Sequence, residues 1–211
     1  RVYARLDELR EETAEKLAAV RKNQAVGGHQ NRSERDSFAT HYEDRLAQLN
    51  AVDSRLTFGR LDMDREGTDA VRYIGRIGIT DSNQQRLLMD WRAPEAGTFY
   101  QATAFHPMGV RRRRHLMLEG RTVVNIEDEV FDTQMLQDED TLHGEGALLA
   151  ALNKKRTGRM GDIVATIQAE QDAIIRSDLA GVRVVQGGPG TGKTAVALHR
   201  AAYLLYTNRE R

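Results

Sequence analysis

Two stretches near the start of the chain carry apolar residues at every third or fourth position, the spacing of one face of an α-helix. In residues 1–20 the stripe consists of Val2, Leu6, Leu9, Thr13, Leu17 and Val20, and in residues 33–56 of Phe38, Tyr42, Leu46, Leu49, Val52 and Leu56. The pattern predicts two amphipathic helices. The second is expected to open at Ser33, with Asp36 three residues on as in a capping box.

The polar stretch Lys22–Arg32 between these helices contains the pair Gly27-Gly28. A short connection with glycines favours an antiparallel hairpin in which the two apolar stripes bury each other. Two interpretations of residues 1–56 stay open. They form either a projecting coiled-coil arm or two surface helices packed on a core.

From residue 57 the pattern changes to short apolar segments separated by Gly, Pro, Asp and Asn, which is typical of strands joined by turns. The predicted strands are Val71–Thr80, Arg86–Trp91, Phe99–Phe105, Val110–Leu118 and Arg121–Ile126. Within them Leu87-Leu88-Met89 has the continuous apolar character of a buried central strand. Residues 57–135 are therefore predicted to form a small β-rich module.

The next segment is acidic, because Glu127–Glu145 contains eight Asp and Glu residues and no Lys or Arg. We expect an acidic connector there, then helices at Ala147–Arg156 and Asp162–Arg176 and a short buried strand at Val182–Val185. By this division residues 136–160 hold the connector with a helix, and residues 161–211 begin another domain.

Composition excludes several classes of protein. The 211 residues carry 31 Lys and Arg against 31 Asp and Glu, so no overall charge attracts nucleic acid or anionic lipid. The absence of cysteine excludes disulfides, thiolate metal sites and a cysteine nucleophile, and it fits a reducing, cytoplasmic compartment. No apolar run approaches the roughly 20 residues of a membrane-spanning helix. Since the chain begins with Arg1 and stops just past the apparent opening of a domain, we expect it to be part of a longer protein.

One motif carries chemistry. The run Gly187-Gly188-Pro189-Gly190-Thr191-Gly192-Lys193-Thr194 has the phosphate-loop pattern of Gly, four residues, Gly, Lys and then Ser or Thr. It stands between the predicted strand and the apolar run Ala195–Tyr206, as in the strand, loop and helix of a P-loop domain. The glycines allow successive backbone N–H groups to converge on a phosphate.

This motif assigns roles to two side chains. The ammonium of Lys193 is expected to bridge the β- and γ-phosphates of a nucleotide, and the hydroxyl of Thr194 to ligate Mg²⁺. A dinucleotide-binding motif does not fit, because Lys193 or Ala195 stands where its third glycine would be. Sixteen residues before Gly187 lies Gln171, whose amide can offer both a donor and an acceptor to an adenine edge.

These residues also resemble a known family. Gln171 at this distance before GGPGTGKTAVALHRAAYLLY is similar to the adenine-reading glutamine and first motif of UvrD-like superfamily-one helicases. More narrowly, the chain resembles HelD-type proteins, which are UvrD-like ATPases that bind bacterial RNA polymerase and help release it from nucleic acid. The segments that carry the narrower match are RTGRMGDIV and the following IQ, YIGRIGI at Tyr73–Ile79, DWRAPEAGTFYQAT at Asp90–Thr103 and IEDE at Ile126–Glu129.

The resemblance implies an α/β protein in several parts: an N-terminal antiparallel coiled-coil hairpin, a small β-rich module and the start of a RecA-like P-loop ATPase domain. It implies ATP and Mg²⁺ as cofactors and bacterial RNA polymerase core as partner, with the arm entering the secondary channel of the polymerase. DNA or RNA would be contacted through parts outside this chain. Gln171 would read adenine, and Lys193 would be the catalytic lysine.

One position departs from the family pattern, since Ala195 stands where UvrD relatives often place an arginine. A helicase motor also needs an acidic pair and the arginine fingers of a second RecA-like domain, and neither is found in these 211 residues. We therefore expect this chain alone not to hydrolyse ATP.

Three functions stay open: part of a HelD-type motor that recycles RNA polymerase, part of a UvrD-like helicase that unwinds DNA directly, or a polymerase-interaction fragment without catalysis. The run Arg111-Arg112-Arg113-Arg114 also has two interpretations. It is either a contact for nucleic acid or an acidic protein, or a strand whose arginines pair with the acidic connector.

Overall fold

The computed structural model describes residues 1–22, 29–67, 70–131 and 163–208, and for residues 29–35 the backbone alone. The helices are α1 (Val2–Lys22), α2 (His29–Ala51), α3 (Gly97–Gln101), α4 (Ala169–Ile175) and α5 (Lys193–Thr207). The strands are β1 (Thr57–Met63), β2 (Val71–Gly75), β3 (Ile79–Thr80), β4 (Arg86–Asp90), β5 (Val110–Glu119) and β6 (Thr122–Val130). Within these ranges no helix is both long enough and apolar enough to cross a membrane.

The two predicted N-terminal helices are present and antiparallel. Arg10 donates a hydrogen bond to the carbonyl oxygen of Leu49 at 2.9 Å, while Arg21, near the far end of α1, pairs with Glu43 at 2.6 Å. The predicted start at Ser33 is wrong, because α2 begins at His29. Residues 29–32 contain neither Gly nor Pro, so the helix can begin directly after the glycine pair. Residues 23–28, the part of the predicted connection Lys22–Arg32 that contains the glycine pair, lie outside the described part of the chain.

The strands form one mixed six-stranded sheet in the order β3-β4-β2-β1-β5-β6. All neighbours are antiparallel except β2 and β4, which run parallel. The predicted strand Val71–Thr80 is two strands, β2 and β3, separated by a bend. The predicted central strand is confirmed, because β4 has a neighbour on each side.

The predicted strand at Phe99–Phe105 is wrong, because a 3₁₀ turn at Pro94–Ala96 leads into the helix α3. Phe99 and Tyr100 are both buried, at 1% and 5% exposure. Successive side chains of a strand point to opposite faces, whereas a helical turn places both rings against the same core. Proline at the first position of the turn favours the helical start.

The acidic segment does not begin as a connector. Glu127, Asp128 and Glu129 lie in β6, where Asp128 is opposite Arg114 and Glu129 is opposite Arg113. Charge pairing across two strands therefore outweighs the low strand propensity of acidic residues. Residues 132–145 of the predicted connector and the predicted helix Ala147–Arg156 lie outside the described residues.

The sheet separates two apolar clusters. Around Phe99 and Trp91, the larger cluster fills the space between the sheet and the helices α3, α4 and α5. The smaller cluster joins the base of the hairpin to the sheet, and its members are Leu6, Leu49, Val52, Leu56, Ile77, Ile79 and Leu88. Leu56 lies beyond the end of α2, after a 3₁₀ turn, so it belongs to this joint and not to the helix. The base of the hairpin is thus packed on a core, while Thr13 and Leu17 farther along α1 are buried outside this cluster, so both interpretations of residues 1–56 stay open.

Ionic contacts surround the same joint. Arg121, in the turn between β5 and β6, donates to Asp7 of α1 at 2.7 Å and to Asp53 at 2.6 Å. Its guanidinium also lies over the ring of Tyr3, 5.1 Å from the ring centre. These hydrogen bonds from Arg121 hold the pKa values of Asp7 and Asp53 below their usual value of 3.8. The hairpin is therefore held to the sheet by both apolar packing and ion pairs.

The lowered pKa values make this joint sensitive to acid. A carboxylate whose pKa is lowered by folding stabilises the folded state above pH 3.8, and the contribution is lost as the pH falls through the lowered values. We expect Arg121→Gln to destabilise the protein at neutral pH, with the difference from the unsubstituted protein shrinking between about pH 5 and pH 2. Urea unfolding at a series of pH values measures this difference.

The matched control for that experiment is Arg65→Gln, since Arg65 is an exposed arginine in the loop after β1. Its effect on the free energy of unfolding should stay constant with pH. A pH-independent effect of Arg121→Gln would contradict the assigned ion pairs.

A second prediction concerns the close approach at Gly75. A Cβ at this position would lie 2.5 Å from the carbonyl oxygen of Leu56 and 2.5 Å from Cδ2 of Leu88, both in the hairpin joint. We expect Gly75→Ala to reduce the free energy of unfolding by about 1–3 kcal/mol, the cost of overpacking a core. Gly78→Ala is the control, because its Cβ would approach nothing closer than 3.7 Å. Equal denaturation midpoints for the two variants would contradict the close packing at this joint.

Candidate nucleotide-binding site

The candidate phosphate loop, residues 187–194, runs directly into α5. Gly190 and Gly192 have positive φ angles of 78° and 83°, a conformation that favours glycine, and Gly192 is the residue that caps the helix. A Cβ on Gly187 would lie 2.8 Å from the hydroxyl oxygen of Thr191. Glycine is therefore required at three positions of the predicted motif for reasons of local geometry.

Lys193 is the first residue of α5 and its side chain folds back across the loop. Nζ donates to the carbonyl oxygens of Gly187 at 2.9 Å and Gly188 at 2.6 Å. The hydroxyl of Thr191 donates to the same Gly188 carbonyl at 2.9 Å. Lys193 and Thr194 are both exposed. The loop thus closes around the lysine ammonium and leaves the threonine open to solvent.

The predicted buried strand before the loop, Val182–Val185, is wrong. These residues have no regular secondary structure, and Val182 and Val184 are 95% and 86% exposed. A strand needs a neighbour to satisfy its backbone N–H and C=O groups. In the described part of the chain, the only sheet is built from β1 to β6, and this segment pairs with none of them.

Gln171 lies on α4 and next to the loop. Its side-chain oxygen accepts a hydrogen bond from the backbone N–H of Gln168 at 3.1 Å, as part of a capping box. Its Nε2 atom lies 3.5 Å from the position that a Cβ on Gly192 would occupy. The structure therefore brings together the glutamine and the loop, which the sequence pattern indicated separately.

The helix that carries Gln171 is shorter than predicted. The sequence pattern placed it at Asp162–Arg176, but α4 begins at Ala169 because Gln168 is extended and caps it. Val164 and Ile167 are buried all the same, at 3% and 6% exposure, in the irregular chain before the helix. The spacing of these apolar residues resembles that of a helical stripe, but it reflects burial of irregular chain against the core.

Arg200 is a site residue that the sequence pattern did not identify. From α5 its Nη1 atom donates to the carbonyl oxygens of Ile174 at 2.9 Å and Ser177 at 2.8 Å, and Nη2 donates to that of Asp178 at 2.9 Å. A cation at these carbonyls satisfies the C-terminal end of α4 and interacts favourably with its dipole. The sequence signal for Arg200 was that it stands, beside His199, within the otherwise apolar run Ala195–Tyr206.

A second overlooked feature is a buried ion pair on α4 between Asp172 and Arg176, four residues apart, at 2.7 Å. The Asp172 carboxylate is fully buried. Burial raises its pKa from the usual value, while Arg176 acts in the opposite direction. The spacing of four between acid and base is the one sequence signal for this pair, because such residues are neighbours on a helix.

Arg112, Arg113 and Arg114 of the four consecutive arginines pair with acidic residues within the sheet. Arg112 pairs with Asp62 at 2.8 Å and Arg114 with Asp128 at 2.6 Å. Arg113 pairs with Glu129 and also donates to the carbonyl oxygen of Phe99 at 2.8 Å. These contacts favour the interpretation in which the run pairs with the acidic segment, since Asp128 and Glu129 belong to Glu127–Glu145, although they lie there in β6 and not in a connector.

Similarity to known proteins lies in the part of the chain that contains the hairpin and the sheet. The family model described as the N-terminal domain of the DNA helicase IV HelD matches residues 1–142. No curated protein matches the chain. The matched residues end before Gln171 and the candidate phosphate loop, so the match does not test that site. Because it covers well over half of the chain, the protein belongs to the HelD family, with the family's N-terminal domain at residues 1–142.

Proposed function

We propose that this chain contributes the nucleotide-binding loop of a HelD-type, helicase-like ATPase. The observation that carries the proposal is the placement of Gln171 beside Gly192, directly next to Lys193. Gln171 and Lys193, which would have separate roles in nucleotide binding, thus lie at one loop although they belong to different helices. Residues 161–211 would be the start of a RecA-like P-loop domain.

The loop suits a phosphate ligand. Its glycines adopt conformations that a side chain would obstruct, and backbone N–H groups at the start of a helix of 15 residues attract an anion. Within the described part of the chain, Nζ of Lys193 is held by carbonyl oxygens, and a phosphate would offer it stronger, charge-assisted hydrogen bonds. The exposed Thr194 hydroxyl is a hard oxygen ligand of the kind that Mg²⁺ prefers. When bound, Mg²⁺ supplies positive charge that offsets the charge developing on the phosphates.

The proposed partner is bacterial RNA polymerase, which the protein would help release from nucleic acid. Support comes from the balance of charge: the chain is neutral overall, and three of the four consecutive arginines pair with acidic residues. Strong binding of duplex DNA needs concentrated lysine and arginine, so these features disfavour it. A hairpin whose base is packed on the sheet would present its far end to a partner from a firm support.

A second candidate is a helicase that unwinds DNA directly. The observation that favours it is the description of the matching family, which names a DNA helicase. Copurification with RNA polymerase, set against a gel-shift assay on bare DNA, separates the two. Recovery of polymerase with weak DNA binding supports the recycling function, and the opposite result supports the helicase.

The nucleotide site is tested by Lys193→Ala in the full-length protein. We expect hydrolysis of ATP to be abolished while binding to polymerase is retained, because Lys193 lies outside the hairpin and the sheet. Phosphate release and polymerase pull-down measure the two properties. The control is Arg183→Ala, an exposed cation shortly before the loop, which should preserve both. If Lys193→Ala lost polymerase binding even without nucleotide, the assignment of polymerase binding to the hairpin and the sheet would be contradicted.

The arm is tested by replacing Lys22–Arg32 with a short turn. We expect weaker polymerase binding or weaker transcript release, with ATP affinity unchanged, because the base of the hairpin keeps its core contacts at Leu6 and Leu49. Pull-down and a transcript-release assay measure the effect. Unchanged polymerase affinity and unchanged release would mean that the hairpin has a structural role only.

A further inference from the structure

The buried carboxylate of Asp172 uses both of its oxygen atoms. Oδ1 accepts a hydrogen bond from Nε of Arg176 at 2.7 Å, and Oδ2 accepts one from Nε2 of Gln101 on α3 at 2.7 Å. A buried charge is costly unless it is paired and hydrogen-bonded in this way. Asp172 therefore ties α4 to α3, which belongs to the part of the chain that packs on the sheet.

Arg176 makes further contacts between α4 and the rest of the fold. Its Nη1 atom donates to the carbonyl oxygen of Ala93 at 3.0 Å and Nη2 to that of Trp91 at 2.6 Å, both in the segment after β4. The guanidinium also lies over two rings, 5.5 Å from the centre of Tyr100 and 5.2 Å from that of Tyr203. The side chain is only 8% exposed. One arginine thus joins α4 to α3, to α5 and to the end of β4.

These contacts fix the helix that presents Gln171. With seven residues, α4 is too short to be stable alone, so its orientation depends on tertiary contacts. Gln171 directly precedes Asp172 in the chain, and its Nε2 atom reaches the neighbourhood of Gly192. A small rotation of α4 would carry this amide away from the loop.

We infer that Asp172 and Arg176 are positioning residues that set the base specificity of the nucleotide site. The inference rests on the proposed function and deepens it, because it assigns the selection of adenine to a buried ion pair that touches no nucleotide. The β-rich module thereby takes part in nucleotide selection through the Trp91 and Ala93 carbonyls. Lysine cannot replace the arginine, since the N–H groups of an ammonium diverge from one nitrogen atom, whereas Arg176 donates from three nitrogen atoms of one rigid plane.

The test measures dissociation constants of Mg–ATP and Mg–GTP for the full-length protein by calorimetry. Gln171→Ala is expected to lower the preference for ATP over GTP, because the amide that distinguishes the bases is removed. Arg176→Lys should lower the same preference by about fivefold, the effect of one misplaced hydrogen bond. The double variant should show no further loss, because both substitutions act through the same amide.

A matched control is Arg92→Lys. Arg92 also lies between the sheet and the helices, where it pairs with Asp90 at 2.6 Å and covers the ring of Tyr206 at 4.8 Å. Its side-chain hydrogen bonds go to Asp90 and not to α4, so the preference for ATP should be unchanged. If Arg176→Lys fails to unfold cooperatively, Gln101→Ala replaces it, and a smaller loss in the same direction is expected.

The outcomes distinguish the positioning role from the proposed function. Equal weakening of ATP and GTP by Arg176→Lys, or additive effects in the double variant, would overturn the positioning role and leave the proposed function standing. Absence of saturable ATP binding by the unsubstituted protein would overturn the proposed function and this inference with it. A selective, non-additive loss of the preference for ATP supports both.

Discussion

Apolar packing on both faces of the sheet at strand β4 is the constraint on which the rest of the structure depends. Adjacent residues of a strand point to opposite faces, and the pair Leu88-Met89 of β4 shows the consequence. Leu88 belongs to the cluster beneath the hairpin, whereas Met89 belongs to the cluster beneath α3, α4 and α5. Two neighbouring residues thus support the hairpin on one side and the helices beside the candidate phosphate loop on the other. Apolar burial supplies most of the stabilisation, since exposed ion pairs contribute little each.

Arginine is used here mainly as a structural residue. Arg113, Arg176 and Arg200 each donate to a backbone carbonyl oxygen just beyond the end of a helix or strand, namely those of Ala102, Trp91 and Ser177. The planar guanidinium serves this purpose because it presents several donors in fixed directions. The chain is neutral because its 31 Lys and Arg are matched by 31 Asp and Glu, and the arginines held in this way are not presented as a nucleic-acid surface. In this fold, counting arginines would overstate the affinity for phosphate backbones.

The candidate site could be predicted from the sequence only as far as its chemistry is local. The spacing of Gly187, Gly192 and Lys193 is a property of one continuous segment, so the motif indicated the loop directly. Gln171 was reached through a resemblance to a family. Arg176 was not found, because its partners Trp91 and Ala93 lie 85 and 83 residues away and no periodicity connects them.

By itself the sequence determined the elements whose stability comes from neighbours a few residues apart. The apolar stripes of α1 and α2 and the glycines of the candidate phosphate loop are of this kind, because helical spacing and positive φ angles depend on local chain geometry. Only the tertiary structure decided the others. Phe99 became helical because two adjacent rings fill one core, Asp128 joined a strand because Arg114 lies opposite, and Val182–Val185 lacks the paired neighbour that a strand requires. Each of these outcomes depends on what the rest of the fold places beside the segment, and the spacing of apolar residues within the segment does not show this.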